Sequence, residues 1–362
     1  MTDSSLSQIR KSRNGVPSVT YVGQLWKGST ALHRWWAVQE LTPGAAHRPI
    51  DNTSWFYTRL FRNKLWRWPA SAAVKIGQRV DLRRVGSRLI AAAGDSRCRL
   101  LWLDKTIDLS PSVLHTVRAR NPQLRIVFYT PDDMANPGNK TPRFLASLPL
   151  FDCVVTTKSF QIDELKSWGA REVIFVDNAF DPATHRPLEL SKADQDFFGC
   201  DIGFSGAYEA DRANLIRRLG EAGQAVKVFS NQFPPSFGDL PNITVIRRFV
   251  PSEEYAKAIC GAKISLGFLR KANRDLQTQR SAEIPACGGF LLAERTDEHR
   301  RLFEEGKEAE FFEGFDELLA KTRRYLAHES ERSAIAAAGR RRCLTAGYSN
   351  AGRLAPVVAR FF

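Results

Sequence analysis

Short apolar runs recur along this chain with a helical segment between neighbouring runs, and that alternation limits the possible folds more than any other feature. Residues 19–23, 99–103, 124–129, 153–156 and 172–176 read as strands. Helical spacing appears from about Ala31, in a segment ending at Arg120, near 142–148 and over 160–168. After a polar stretch the pattern resumes, with strands at 201–204, 225–229, 243–246, 263–268, 290–293 and 310–312. Helices are expected from Ala210, from Pro251 through Ile259, and over 297–303, 315–327, 329–346 and 350–362. Strands linked by helical crossovers lie parallel, with helices packed on both faces of the sheet. Ligands of such sheets gather at the carboxyl ends of the strands.

The densest chemistry lies in residues 275–294, DLQTQRSAEIPACGGFLLAE. Asp275 and Glu283 are eight positions apart; one continuous helix would separate them by about 12 Å and turn them off a common face. If Asp275 instead sits in a loop that turns back over a helix beginning near Thr278, both carboxylates border one pocket at the helix's positive end. That is a place for a polyol beside a phosphate. Arg270, Lys271 and Arg274 stand just before it, and Arg280 falls in the first helical turn. Such cations suit a diphosphate leaving group, because charge builds on its oxygens as a glycosidic bond breaks. The plainer reading of the same residues is a solvated basic turn. Gly288 and Gly289 are expected to end the helix in a left-handed cap. The run Ser205-Gly206-Ala207-Tyr208, with Arg212 in the helix that follows, offers a second strand, glycine and helix arrangement for a phosphate. For Arg212 the alternative is a surface helix position.

The spacing of Asp275 and Glu283, followed by Ile284-Pro285-Ala286-Cys287-Gly288-Gly289-Phe290, resembles the nucleotide-binding segment of two-domain glycosyltransferases. It is similar in particular to the CgeB-like branch, named for a spore-maturation protein. The same resemblance is carried by Tyr129-Thr130-Pro131-Asp132-Asp133-Met134, by residues 151–158, by Asn178-Ala179-Phe180-Asp181-Pro182, by Arg295-Thr296-Asp297-Glu298-His299 and by residues 305–309. It covers nearly the whole chain and is most specific over 201–345. It implies an α/β fold of GT-B type: two facing Rossmann-like domains with a central cleft and a C-terminal helix crossing back to the first domain. The expected divisions are a disordered leader at 1–17, an acceptor-side domain at 18–181, a nucleotide-sugar domain at 182–347 and a crossover helix at 348–362.

The resemblance also implies roles. Glu283 takes the ribose hydroxyls and Asp275 the donor sugar, although Asp275 is one methylene shorter than the family's usual first acid. Gly206 lies in the diphosphate loop; Ala207 stands where relatives carry an arginine, which leaves Arg212 to substitute. The backbone of Phe249 and Val250 reads the nucleobase edge. On the acceptor side Asp132 or Asp133 acts as general base toward a hydroxyl, or else caps the following helix. His33 is a second candidate base, with a locally bonded helix histidine as its alternative. The implied enzyme is hexosyltransferase-like, retaining and metal-independent. It uses a nucleotide-sugar cosubstrate, no tightly bound cofactor and an acceptor that is a protein, a lipid-linked sugar or a small molecule.

Length and composition set outer bounds. A chain of 362 residues with 43% apolar and 25% charged residues suits a two-domain globular protein. No apolar run approaches the roughly 18 residues that span a bilayer, and the polar N-terminal segment reads as no signal peptide, so a cytoplasmic location is expected. The cysteines at 98, 153, 200, 260, 287 and 343 are scattered singly, as buried thiols rather than a metal or disulfide framework. A formal charge of +14 points to an acidic partner. Residues 53–69 interleave tryptophans and phenylalanines with basic residues, which suits single-stranded nucleic acid but more often marks an apolar helix face with a solvated basic one. A basic amphipathic helix expected at 77–93 allows peripheral contact with an anionic membrane surface. These features support a competing reading, a non-catalytic basic protein that binds nucleic acid or membrane. A third reading is a sugar-nucleotide hydrolase or epimerase. Asp194-Gln195-Asp196 spells an acid pair that holds metal in a different fold, but here it falls in what reads as a polar linker.

Overall fold

A computed structural model describes residues 15–53 and 83–362. They form two compact units, one holding the described residues up to Asp177 together with Leu354–Phe362, the other Asn178–Arg353. Most of the expected leader, the aromatic and basic stretch beyond Thr53, and the start of the helix expected at 77–93 lie outside the described residues.

The first unit is a sheet of six parallel strands: β1 (Ser18–Gly23), β2 (Ala46–Asp51), β3 (Cys98–Asp104), β4 (Arg125–Thr130), β5 (Cys153–Thr156) and β6 (Val173–Phe175). Their order is β2-β1-β3-β4-β5-β6. Every residue of β1 is buried, and every residue of β3 except Arg99, as expected of strands covered on both faces. Leu101, Phe128, Phe144 and Val154 are fully or almost fully buried in one core. Strand β2, AHRPID, went unrecognised in the sequence because it is polar and contains Pro49. It sits at the edge of the sheet, where a missing N–H costs least. The helix expected at 77–93 is shorter where it is described: it runs Val85–Ala93, and Arg84 before it is left-handed at φ 50°.

The second unit repeats the architecture with β7 (Cys200–Ser205), β8 (Val226–Phe229), β9 (Ile243–Ile246), β10 (Ala262–Gly267), β11 (Leu291–Glu294) and β12 (Glu310–Phe312). The order is β12-β11-β10-β7-β8-β9. Helices Ala210–Glu221, Glu253–Cys260, Arg280–Ala286 and Gly314–Ala327 are among its connections. The stretch read as a polar linker is a helix, Lys192–Phe198, begun by a capping box between Ser191 and Asp194. Asp194 also pairs with Lys257 at 3.1 Å. Its acid pair is therefore spent on capping and an ion pair.

Each sheet has one place where successive strands are laid down in opposite directions, between β1 and β3 in the first unit and between β7 and β10 in the second. Loops leaving two such strands part company, and the crevice they open is where doubly wound folds bind ligands.

Candidate functional site

The loop after β7 and the loop after β10 frame the switch point of the second unit. Gly206 follows β7 directly. A Cβ there would lie 2.8 Å from the Phe204 ring, so the backbone passes against that ring only because the residue is glycine. Arg212, in the helix that follows, is only 3% exposed. Its Nη2 donates to the carbonyl of Leu269 at 2.9 Å and lies 3.2 Å from a Glu209 carboxylate oxygen. Arg280 donates from Nη2 to the carbonyl of Phe268 at 3.3 Å. Both guanidinium groups flank the Phe204 ring, 5.8 and 5.9 Å from its centre. The Nε of each is buried and makes no hydrogen bond. Burial and then the neighbouring Arg280 cation hold the Arg212 pKa below its usual value. Two like charges held close together with buried donors unspent are costly, and an anion beside them would offset that cost.

The other cations of the loop are placed differently. Arg270 pairs with Glu209 at 2.9 Å and Lys271 with Glu294 at 2.9 Å, with side chains 51% and 60% exposed. Glu294 also accepts the Leu269 N–H at 2.7 Å. After a single 3₁₀ turn at Lys271–Asn273, Arg274 turns left-handed at φ 46°. The Asp275 N–H returns to the Arg270 carbonyl at 3.2 Å, and its carboxylate accepts from Asn273 Nδ2 at 2.7 Å. Asp275 thus sits in a loop ahead of a helix that starts at Arg280.

That helix, Arg280–Ala286, carries Glu283, which is 7% exposed. Tyr255 donates its hydroxyl to Glu283 Oε2 at 3.0 Å, and His185 Nε2 lies 3.6 Å from Oε1. Burial and then Glu283 push the Tyr255 pKa well up. Burial pushes His185 down to about 4. Gly288, at φ +77°, ends the turn as expected. The segment is stapled from β11 onward: Thr296 Oγ1 donates to the Leu276 carbonyl at 2.6 Å, and His299 bridges the Glu294 carbonyl (2.6 Å) and Ser281 Oγ (2.7 Å). The carbonyl can only accept, so the His299 proton is on Nδ1 and Nε2 takes the Ser281 hydroxyl. Ser281 Oγ is then left to accept the Thr278 N–H at 3.1 Å.

A small recess of about 10 Å³ lies here, lined by Phe204, Ser205, Phe229, Tyr255, Ser265 and Arg280 among others. Phe249 is exposed while Val250 is buried beside Phe229 and Phe198. Ser252, just beyond, holds φ 51°, a conformation that costs energy outside glycine and marks a loop fixed by its surroundings.

In the first unit the named acids and His33 lie at or just beyond strand ends. His33 is buried in helix Thr30–Leu41, its ring 5.4 Å from that of Trp36. Asp132 pairs with Lys105. Asp133 is buried and accepts from Gln161 Nε2 at 2.6 Å and the Ala135 N–H at 2.8 Å. A network the sequence did not reveal sits at the β1/β3 switch point. Arg34 binds Asp104 through Nε (2.6 Å) and Nη2 (3.0 Å), and the Tyr21 hydroxyl donates to the same carboxylate at 2.7 Å.

Residues 212–359 match a family described as Glycosyl transferase-like. Solved structures agree in fold. HepE of Anabaena bound to UDP and glucose superposes with a TM-score of 0.62 at 10% identity, covering 95% of this chain and 100% of that one. Sucrose-phosphate synthase of Thermosynechococcus elongatus gives 0.60 at 10% identity, covering 95% and 97%. An alpha-glucosyltransferase in complex with UDP-glucose and abasic DNA gives 0.62 at 12% identity, covering 92% and 96%. No curated protein sequence matches the chain. The architecture is the two-domain GT-B type, as the sequence implied. Among the described residues no cluster of three or more His, Cys, Asp or Glu is arranged to hold a metal, and no helix is long and apolar enough to cross a membrane.

Among residues that reasoning from sequence singled out, Arg212 and Arg280 prove to lie against one ring. His185, Tyr255, Glu209, Glu294 and His299 were missed as site residues. Local signals existed for three of them: His185 lies four positions beyond Asp181 in the Asn-x-Phe-Asp-Pro run, Glu294 ends the 275–294 stretch and His299 ends the Arg-Thr-Asp-Glu-His run.

Proposed function

We propose that this chain is a CgeB-like glycosyltransferase that moves a sugar from a nucleotide-sugar donor held by its second unit. The observation that carries the reading is the pair of arginines, buried Arg212 and half-buried Arg280, each with a buried, unspent Nε donor, close to Phe204 at the β7/β10 switch point. A diphosphate supplies the anionic oxygens those donors lack. The negative charge that grows as the glycosidic bond breaks is met by groups already in place, which is the preorganisation catalysis requires. Arg270 and Lys271 join by exchanging Glu209 and Glu294 for phosphate oxygens. Glu283 grips the ribose, Asp275 the sugar, and the backbone at Phe249 and Val250 the base. Gly206 keeps the β7 loop close enough for its backbone to reach the diphosphate. We assign retention of configuration and metal-independent departure of the diphosphate, and place the acceptor on the first unit. Asp132 is there the best candidate to contact an acceptor hydroxyl, because Asp133 and His33 are more deeply buried.

The test is a thermal-shift panel of UDP, GDP, TDP and CDP, since a ligand that binds only the folded state raises its stability. At least one should raise Tm in the wild type and not in Arg212→Met or Arg280→Met. No response to any of the four overturns the donor site. Salt-dependent retention of single-stranded oligonucleotide without a nucleotide response would favour the binding-protein reading. Release of sugar from donor with no acceptor present would favour a hydrolase.

A further inference from the structure

Glu283 is surrounded by groups that have no place in the donor contacts above, and their arrangement is specific. His185 Nδ1 accepts the backbone N–H of Asp181 at 3.0 Å. A ring nitrogen that accepts carries no proton, so the neutral imidazole has its proton on Nε2. Nε2 is the ring nitrogen nearest Glu283 Oε1, at 3.6 Å, longer than a hydrogen bond but close enough for its N–H dipole to act on the carboxylate. The other carboxylate oxygen takes the Tyr255 hydroxyl at 3.0 Å. The His185 and Tyr255 rings meet edge to face, 5.9 Å between centres, so each ring braces the other. Both come from outside the Glu283 helix: His185 follows the Asp181 turn, and Tyr255 lies in helix Glu253–Cys260.

We propose that His185 is a positioning residue for donor binding: locked in one tautomer by the Asp181 backbone, it turns with Tyr255 the Glu283 carboxylate toward the ribose hydroxyls of a nucleoside diphosphate. The proposal rests on the assignment of Glu283 to the ribose. A neutral donor suits this task better than a cation. An imidazolium would neutralise the carboxylate and compete for it, whereas a neutral N–H orients the oxygens and leaves their full charge to attract hydroxyl protons. The burial of His185, which favours the uncharged ring, acts in the same direction.

The experiment compares affinity for UDP and 2′-deoxy-UDP by calorimetry, with inorganic pyrophosphate as a ligand that has no ribose. Wild type should prefer UDP by about tenfold, the factor of one hydrogen bond to a charged group. His185→Leu should lose most of that preference while keeping its pyrophosphate affinity, and His185→Gln, which restores an N–H donor, should recover it. Tyr255→Phe removes only a hydroxyl from the opposite oxygen and should also lower the preference, which provides the reading should His185→Leu fail to fold. A wild type that binds both nucleotides equally overturns the ribose assignment and this inference with it. A wild type that discriminates, with His185→Leu and Tyr255→Phe discriminating to the same degree, overturns the positioning role alone.

Discussion

At the β1/β3 switch point a buried arginine, Arg34, has its charge met by Asp104 through both Nε and Nη2, with Tyr21 bonded to the same acid and the Tyr129 ring 4.4 Å from the guanidinium. At the β7/β10 switch point a buried arginine, Arg212, shares one carboxylate, Glu209, with Arg270, has Arg280 across the same ring, and keeps an unspent Nε. Both sheets are parallel with one switch point, though their strand orders differ, and each has a buried arginine there; in the second unit the arginine Nε is left without an acceptor. A charge matched inside the fold contributes to the fold; a charge left unmatched in a crevice is complementary to something that arrives later. The contrast supports placing the proposed anionic ligand on the second unit.

The largest test of this contrast is Asp104→Ala. It leaves Arg34 buried and unpaired and should cost about 3–5 kcal/mol, read by denaturant unfolding, while the folded fraction keeps its nucleotide response. Next comes pH. His185 has a folded pKa of about 4 against 6.5 for the ordinary ring, so the unfolded chain binds the extra proton between those values and stability falls as pH drops from 6.5 to 4. The loss should approach about 3 kcal/mol. Glu317, held down to about 2 chiefly by its hydrogen bond from Arg295, contributes stability that is complete above about 4.5 and lost as pH falls toward 2. Both groups lie in the second unit, so hydrogen exchange at pH 4 to 6 should show its protection fading before that of the first. Uniform loss across both units would break the comparison.

Smaller in free energy but opposite in sign are Arg212→Met and Arg280→Met. Each should weaken nucleoside diphosphate binding by about 1.5–3 kcal/mol, measured by calorimetry, with unfolding stability unchanged or higher because an unsatisfied buried Nε donor is gone. Loss of stability with unchanged binding would place these arginines with Arg34 as structural. The smallest effect is expected from Gly288→Ala, where φ +77° penalises any side chain by about 1 kcal/mol, lowering Tm without touching either arginine.

Strands were legible where the run itself is apolar: β5, β9 and β12 fall where periodicity put them. Strand β2 was not, since AHRPID is mostly polar, carries a proline and buries only Ile50 of its six residues. Helix Lys192–Phe198 was missed for a related reason. KADQDFF has no apolar period, and its cap, the Lys257 pair and the burial of Phe198 make it helical. The site was half legible. The acids and cations between Arg270 and Glu283 stand out because they are adjacent in sequence, but adjacency could not rank them. Arg270 and Lys271 looked as suited to phosphate as Arg280, and only the fold supplies them with Glu209 and Glu294.

What the sequence by itself determined is the succession of strands and helices, the glycine-ended loop after β7 and the local cluster around Asp275 and Glu283. These follow from forces that act over a few residues: burial of an apolar run, a left-handed turn that needs glycine, a charge beside its neighbour. Only the tertiary structure decided which charges are matched, because a Coulomb interaction depends on distance in space. It paired Arg270 with Glu209 across 61 positions, brought Arg212 to the Leu269 carbonyl across 57 and set Tyr255 on Glu283 across 28. The partners that turn a list of charged residues into a site are separated in the chain and meet only in the fold.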